Sequence, residues 1–321
     1  MFRNCEDCVN FRKVAVIGCG FVGSASAFSL MQSGLFSEMV LIDSDRAKAE
    51  GEALDISHGV AFAKPMKIYA GDYDDIKNAS VVIITAGAAQ KPGETRLDLV
   101  KKNIAIYKSI LPEINKRDFK GILLIVSNPV DILTTVAVKL SGLPENRVIG
   151  SGTVLDTARL KYEIGSHLNV DSRSVHAFII GEHGDSEIAA FSAANVSGIK
   201  LDDFCEMRGH FEHDKATAEI AARVKNSAYE IIAKKKATYY GIAMSVRRIC
   251  EAIVRNERSI LPVSSMMRGA YGIEGIALSM PAIVGSDGVE TLVPLKLNAD
   301  ETARLQASAK VLKDILAQNE I

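Results

Sequence analysis

A short apolar run feeding a glycine cluster near the N-terminus leaves this chain few ways to fold. Lys13–Ile17 (KVAVI) meets Gly18-Cys19-Gly20-Phe21-Val22-Gly23, and a helix-like pattern runs from Val22 to about Gln32, closed by Ser33-Gly34. A second apolar run, Met39–Ile42, ends at Asp43, twenty residues beyond Gly23. Glycine clusters also serve ordinary tight turns. A strand before, a helix after and an acid closing the next strand are together the pattern of a dinucleotide-binding unit. Gly18 permits the tight turn, Gly20 lets backbone approach a pyrophosphate, and Gly23 allows helix and strand to pack closely. The helix then presents unpaired N–H groups to the phosphates. Asp43 would accept hydrogen bonds from ribose hydroxyls and repel a 2′-phosphate, which favours NAD over NADP.

The alternation continues with a helical pattern from about Arg46 to Val60, a weak strand near Lys67–Tyr69 and the apolar run Val81–Thr85. A long helix (about Thr95–Asn115), the strand Gly121–Val126, the breaker Asn128-Pro129, a helix to Leu140 and the short strand Val148–Ile149 follow. Strands alternating with helices pair in parallel through right-handed crossovers. After Gly150 the alternation stops: a helix from about Thr153 to Ser166, a strand Val175–Ile180, then less periodic sequence read as a surface connection through Asp214. Helices at about Lys215–Ala233 and Gly241–Arg255, strands near Ser259–Ser264 and Ser279–Leu295, and a helix from about Ala299 complete the chain. The expected fold is α/β: a Rossmann doubly wound parallel sheet (13–150) followed by an α+β catalytic domain (151–321), with a mobile leader at 1–12. A length of 321 residues fits two cores better than one.

Charge narrows the partners. Lys and Arg total 38 against 39 Asp and Glu, with no long run of one sign, so neither a nucleic-acid footprint nor a polybasic membrane patch is expected. No stretch reaches the roughly 18 consecutive apolar residues of a membrane span, and the first residues lack the apolar segment of a secretory signal. The five cysteines, Cys5, Cys8, Cys19, Cys205 and Cys250, are scattered and odd in number, as suits a reducing cytoplasm. Cys5 and Cys8 have no second pair to complete a zinc site, so no metal is expected.

Three segments are hard to explain as packing. Thr85–Arg96 (TAGAAQKPGETR) runs from a strand end into a Gly/Pro loop carrying Gln90 and Arg96, at the edge where doubly wound sheets bind ligands. Asp156 and Arg159, three apart, share one helix face, though such a pair is often only a solvated ion pair. His183 stands in Gly181-Glu182-His183-Gly184 just after an apolar strand. Separations of 27 and 24 residues from Asp156 and Arg159 do not by themselves bring that histidine to them.

With GCGFVG, these strings resemble the lactate/malate dehydrogenase family from about Lys13 to the C-terminal helix. AGAAQKPGETRLDLVKKN, SNPVDILT, GSGTVLDTARL, GEHGDSE and KKKATYYGIAMS are similar to its bacterial L-lactate dehydrogenase branch. The resemblance implies reversible, NAD-dependent conversion of pyruvate to (S)-lactate, as in fermentation. His183 would be the proton donor and acceptor, oriented and kept charged by Asp156. Arg159 would clamp the substrate carboxylate, and Arg96 would close over the keto group. Gln90, Asn128, Asp131 and Thr238 would complete the substrate pocket. NAD would lie against Gly18, Gly20, Phe21, Val22, Gly23, Asp43, Lys48, Tyr73, Gly87, Ala88, Ser109, Val126, Ser127 and Asn128.

Gln90 bears on the substrate, because the matching position of malate dehydrogenases usually carries Arg to pair a second carboxylate. A neutral Gln90 would leave a dicarboxylate with a buried, unpaired charge, costing several kcal/mol. A malate or other 2-hydroxy-acid dehydrogenase is the same-class alternative, and a non-catalytic NAD-binding protein the different-class one. The resemblance also implies a homotetramer that fructose 1,6-bisphosphate activates through Lys161 and His176. Lys161 replaces the usual Arg, keeping the charge but losing its two-pronged geometry.

Overall fold

The structure, a computed structural model, describes residues 9–88 and 96–319. Cys5, Cys8 and Gln90 lie outside the described residues, as does the side chain of Arg96. In the first half, β1 (Asn10–Ile17), β2 (Glu38–Ile42), β3 (Lys67–Ala70), β4 (Ala79–Ile84), β5 (Ile122–Ile125) and β6 (Val148–Gly150) alternate with helices. These are α1 (Phe21–Ser33), α2 (Arg46–His58), α3 (Arg96–Lys116) and α4 (Val130–Leu140). All six strands pair in parallel in the order β3-β2-β1-β4-β5-β6. The order reverses between β1 and β4, so a crevice opens at their carboxyl ends.

The second half contains α5 (Val154–Leu168), β7 (Val175–His176), β8 (Ile179–Ile180), β9 (Ile188–Ala189), β10 (Asn195–Val196) and β11 (Ile199–Lys200). Then come α6 (Leu201–Met207), α7 (His213–Lys235), α8 (Tyr240–Val254), β12 (Ser259–Arg268), β13 (Glu274–Gly285), β14 (Gly288–Leu292) and α9 (Ala299–Gln318). Strand β12 runs antiparallel beside β6 through Ser264 and Gly150, so the sheet continues past residue 150 as β6-β12-β13-β14.

Period-two alternation sends neighbouring side chains to opposite faces. Ala15, Ile17, Val82, Ile84, Leu123 and Ile125 meet α3, α4 and α9 through residues such as Tyr107, Leu133 and Leu312. Val14, Val16, Val81, Ile83, Ile122 and Leu124 meet α1, α2 and α8 through Leu30, Ala53 and Ile249. Burial of each such aliphatic chain is worth about 1.5–3 kcal/mol, which is why the strands read as continuous apolar runs. A third cluster joins α5, β7, β10, α6 and α7 around Leu160, Ile164, Val175, Val196 and Val224.

Three sequence expectations are corrected. Strand β1 starts at Asn10, whose N–H donates to Asn78 O at 2.7 Å, so residues 10–12 belong to the sheet and not to a leader. The expected strand Val175–Ile180 is two short ones in different sheets, because β7 pairs β10 and β8 pairs β9. The expected surface connection before Asp214 begins with α6, anchored by buried Leu201 and Cys205. Among the described residues no helix is long and apolar enough to cross a membrane.

Candidate active site

The glycine turn sits at the mouth of the crevice. Gly18 holds φ at +102° against Ala86, and a Cβ on Gly23 would fall 1.9 Å from Gly18 O, so the turn and the helix start tolerate no side chain at either position. Gly20 is different: among the described residues a Cβ there would meet nothing within 4 Å, and no side chain caps the α1 N-terminus that begins beside it. That open cradle with unclaimed N–H groups fits a pyrophosphate. Asp43 Oδ2 accepts from Cys19 N–H at 2.6 Å and Oδ1 from Asp45 N–H at 3.0 Å, tying the turn to the end of β2. Partial burial opposes the Asp43 charge, but these N–H groups hold its carboxyl below the usual range. Lys48 is exposed on the first turn of α2, close enough to act on Asp43. Phe21 is exposed and stacks on Tyr239 at 5.4 Å, while Val22 packs on the core below.

The floor of the crevice is arranged by a residue that the sequence reading passed over. Asn103 on α3 is buried; its Oδ1 accepts from Ala88 N–H and its Nδ2 donates to Asn128 O, both at 2.7 Å. It thereby joins Gly87-Ala88 to the Ser127-Asn128 turn, where Ser127 Oγ donates to Ala86 O at 2.6 Å. The signal was an amide within the apolar stripe Val100, Ile104, Tyr107. Val126 follows β5 and donates its N–H to Ile84 O at 2.9 Å.

Across the crevice, His183 follows β8. Its Nδ1 lies 2.6 Å from Asp156 Oδ2, and Asp156 Oδ1 accepts from Arg159 Nη1 at 2.8 Å. Helix α5 places Asp156 and Arg159 on one face, and the fold brings His183 to them. The Asp156 side chain is 3% exposed and that of His183 25%, so the pair is shielded while one imidazole edge reaches the cavity. Burial works against the imidazolium, yet Asp156 outweighs it and raises the histidine to about 9. Burial likewise opposes the Asp156 charge, and His183 with Arg159 keeps its carboxyl low. With Nδ1 directed to Asp156, Nε2 is the nitrogen available for proton exchange.

Four anchors fix this loop. Gly181 and Ser279 exchange backbone hydrogen bonds at 2.9 and 3.1 Å, Glu182 N–H donates to Ser308 Oγ at 3.0 Å, and His183 N–H donates to Asp131 Oδ2 at 2.8 Å. Asp131 Oδ1 accepts from Ser264 and Ser279, the paired residues of β12 and β13, at 2.6 and 3.1 Å. Burial raises Asp131 to about 6, against the pull of those donors. Asp131, expected among the substrate contacts, therefore lies beneath the loop, because its buried carboxylate is taken up by donors from three other segments.

A cavity of about 270 Å³ opens over His183, Asp156 and Arg159, walled by Asn128, Glu187 and α7 residues including Tyr229 and Ile232. Thr238, expected here, sits half-buried in the link between α7 and α8 and is not among the described residues lining the cavity. Tyr73 is not brought to the glycine turn: its ring lies 5.9 Å from the Arg117 guanidinium, past the far end of α3. Ser109, exposed midway along α3, donates to Ile106 O. Lys161 is half-buried on α5, where burial disfavours its charge, and His176 is exposed on β7.

Comparison with known proteins agrees with this arrangement along the chain. Residues 12–150 match the NAD-binding domain of lactate/malate dehydrogenases, and residues 153–320 match their α/β C-terminal domain. An L-lactate dehydrogenase of Thermoanaerobacterium saccharolyticum is 53% identical over 309 residues, 96% of this chain and 99% of that one. One from Acetivibrio thermocellus is 54% identical over 305 residues, 95% and 96% of the two chains. The minor L-lactate dehydrogenase of Enterococcus mundtii in its ligands-bound form superposes with a TM-score of 0.93 at 46% identity, covering 96% of this chain and 98% of that one. A glycine turn closed by Asp43, a parallel sheet with its reversal at β1 and β4, and matches at this level over both halves have one reading: the chain belongs to the lactate/malate dehydrogenase family, and its first half is that family's NAD-binding domain.

Proposed function

We propose that the protein is an NAD-dependent L-lactate dehydrogenase that interconverts pyruvate and (S)-lactate. The observation that carries this reading is the buried Asp156 carboxylate, shared between His183 at 2.6 Å and Arg159 at 2.8 Å, beneath a small cavity beside the dinucleotide cradle. The names of the relatives support it.

Arg159 gives one N–H to Asp156 and keeps its others for the substrate carboxylate, which a guanidinium grips through two parallel bonds. The keto oxygen then lies toward His183 Nε2. Asp156 keeps that nitrogen protonated at neutral pH, and His183 delivers the proton as negative charge develops on the oxygen. The keto carbon would accept a hydride, the chemistry that NADH would supply when bound. In lactate oxidation, neutral His183 takes the hydroxyl proton. Gly20, the α1 N-terminus and Asp43 would hold the pyrophosphate and ribose, and Asn128 would touch both nicotinamide and substrate. Arg96, at the start of α3, would reach over the keto group as its loop closes and excludes water.

Gln90 supplies the choice of substrate, offering no charge to a second carboxylate. Lys161 and His176 would form the fructose 1,6-bisphosphate site of a homotetramer, with Lys161 acting as a point charge. A cytoplasmic location belongs to the same proposal. The test follows NADH absorbance with pyruvate, then oxaloacetate, each with and without the bisphosphate. Pyruvate is expected to have the higher kcat/KM, and the bisphosphate to lower its KM. A preference for oxaloacetate would overturn the substrate assignment, and identical saturation curves would remove the effector.

A further inference from the structure

Glu187 lies in the wall of the His183 cavity and has no task in the chemistry above. It closes the loop after His183, its N–H donating to Gly184 O at 3.2 Å, and it also borders a neighbouring hollow of about 550 Å³ between α7 and α9. Ligand atoms of Asp156, His183 and Glu187 all lie within 4.8 Å of one another, so two carboxylates face one imidazole. The two are not equivalent. Asp156 is held by His183 and Arg159, whereas the Glu187 carboxyl has no hydrogen-bond donor among the described residues.

Charged and titratable groups from several elements line the two cavities that Glu187 borders. Asp156 and Arg159 come from α5, Glu182, His183 and Asp185 from its own loop, Asp214, Lys225 and Tyr229 from α7, and Arg304 from α9, while Asp131 of α4 acts on His183 from beneath. Lys225 Nζ donates to Asp185 O at 2.7 Å, and Arg159 is paired with Asp156. Two carboxylates this close do not ionise together at little cost, and Asp156 has the better partners. Burial and the Asp156 charge raise Glu187 to about 8. As pH rises Glu187 releases its proton to solvent, and the negative charge it gains strengthens the hold on the proton of His183.

We infer that Glu187 is a further carboxylate acting on His183, beside Asp156 and Asp131, a positioning residue that helps set the upper pH limit of pyruvate reduction and the lower pH limit of lactate oxidation. The inference rests on His183 as proton donor. Its test compares pH profiles of kcat/KM for pyruvate with NADH and for (S)-lactate with NAD in wild type, Glu187→Gln and Glu187→Asp. The His183 imidazole is titrated by NMR in the same proteins without substrate.

In Glu187→Gln both limbs are expected to move together to lower pH by about half a unit to one unit. Relative to its own plateau, pyruvate reduction at pH 9 then falls by about two- to fivefold, and lactate oxidation near pH 7 rises by about three- to ninefold. The imidazole titration follows the limbs, and Glu187→Asp restores most of the shift. The position of the limb is the readout, because a packing defect lowers a plateau without moving both limbs in step. Limbs and titration that coincide with wild type overturn the role of Glu187. Wild-type kcat/KM in His183→Gln would instead remove the proton-donor reading beneath it.

Discussion

The glycine turn and the His183 loop face each other across one crevice, and they are held in opposite ways. Gly18, Gly20 and Gly23 shape the turn by lacking side chains, and its nearest support, Asp43, arrives at the end of the next strand. His183 is placed by side chains from distant parts of the chain: Asp156, 27 residues before it, Asp131, 52 before it, and Ser308, which fixes neighbouring Glu182 from 126 residues away. The cofactor end is a local backbone device that leaves room. The chemical end is a long-range electrostatic device that leaves little. Such a division lets a dinucleotide approach open N–H groups while a proton is kept on one fixed nitrogen.

The two ends should separate most widely at His183. His183→Gln should lower kcat/KM for pyruvate by about 10²–10⁴-fold, while NADH binding, read by fluorescence, stays within about twofold. A comparable loss of NADH affinity would mean that the two ends are not separate devices. Asp156→Asn comes next, with an expected drop on the order of 10–100-fold, because the imidazole loses the charge that keeps it protonated and Arg159 loses its partner. Asp43→Ser probes the other end: NADH affinity should weaken by about tenfold and the preference for NADH over NADPH should narrow, as expected when a charged acceptor is lost. Unchanged cofactor selectivity would sink the role given to Asp43.

The smallest effect is on stability. His183 is raised to about 9 in the fold from an ordinary value of 6.5, so the folded state holds its proton longer than the unfolded one. Its contribution is complete below pH 6.5 and is lost as pH rises toward 9. Wild type should therefore lose Tm more steeply than His183→Gln across that window, and parallel curves would contradict the His183–Asp156 pairing.

The same contrast decides what could be read from the chain. The glycine turn, the alternation of strands with helices and Asp43 were legible because each is a short-range pattern whose spacing states its geometry. The residues His183, Asp156 and Arg159 were nameable, but their meeting was not readable from spacing and came only through a family resemblance. Asn103, Ser264 and Ser279 were missed, since a polar residue within an apolar stripe does not announce which distant group it serves. The support Asp131 gives the loop was hidden for the same reason: its partners on β12 and β13 lie more than a hundred residues further on. Tyr73 and Thr238 were named through the resemblance alone, since nothing in their spacing ties either to the glycine turn or to His183.

The proposed chemistry turns on a histidine whose proton is held by a buried carboxylate. The most direct measurement is the pH dependence of kcat/KM for pyruvate with NADH in the wild-type protein. A plateau through neutral pH with an alkaline limb near 9 is the expected result, following the raised imidazole. A limb at the ordinary imidazole value of about 6.5, or none across the range, would contradict it.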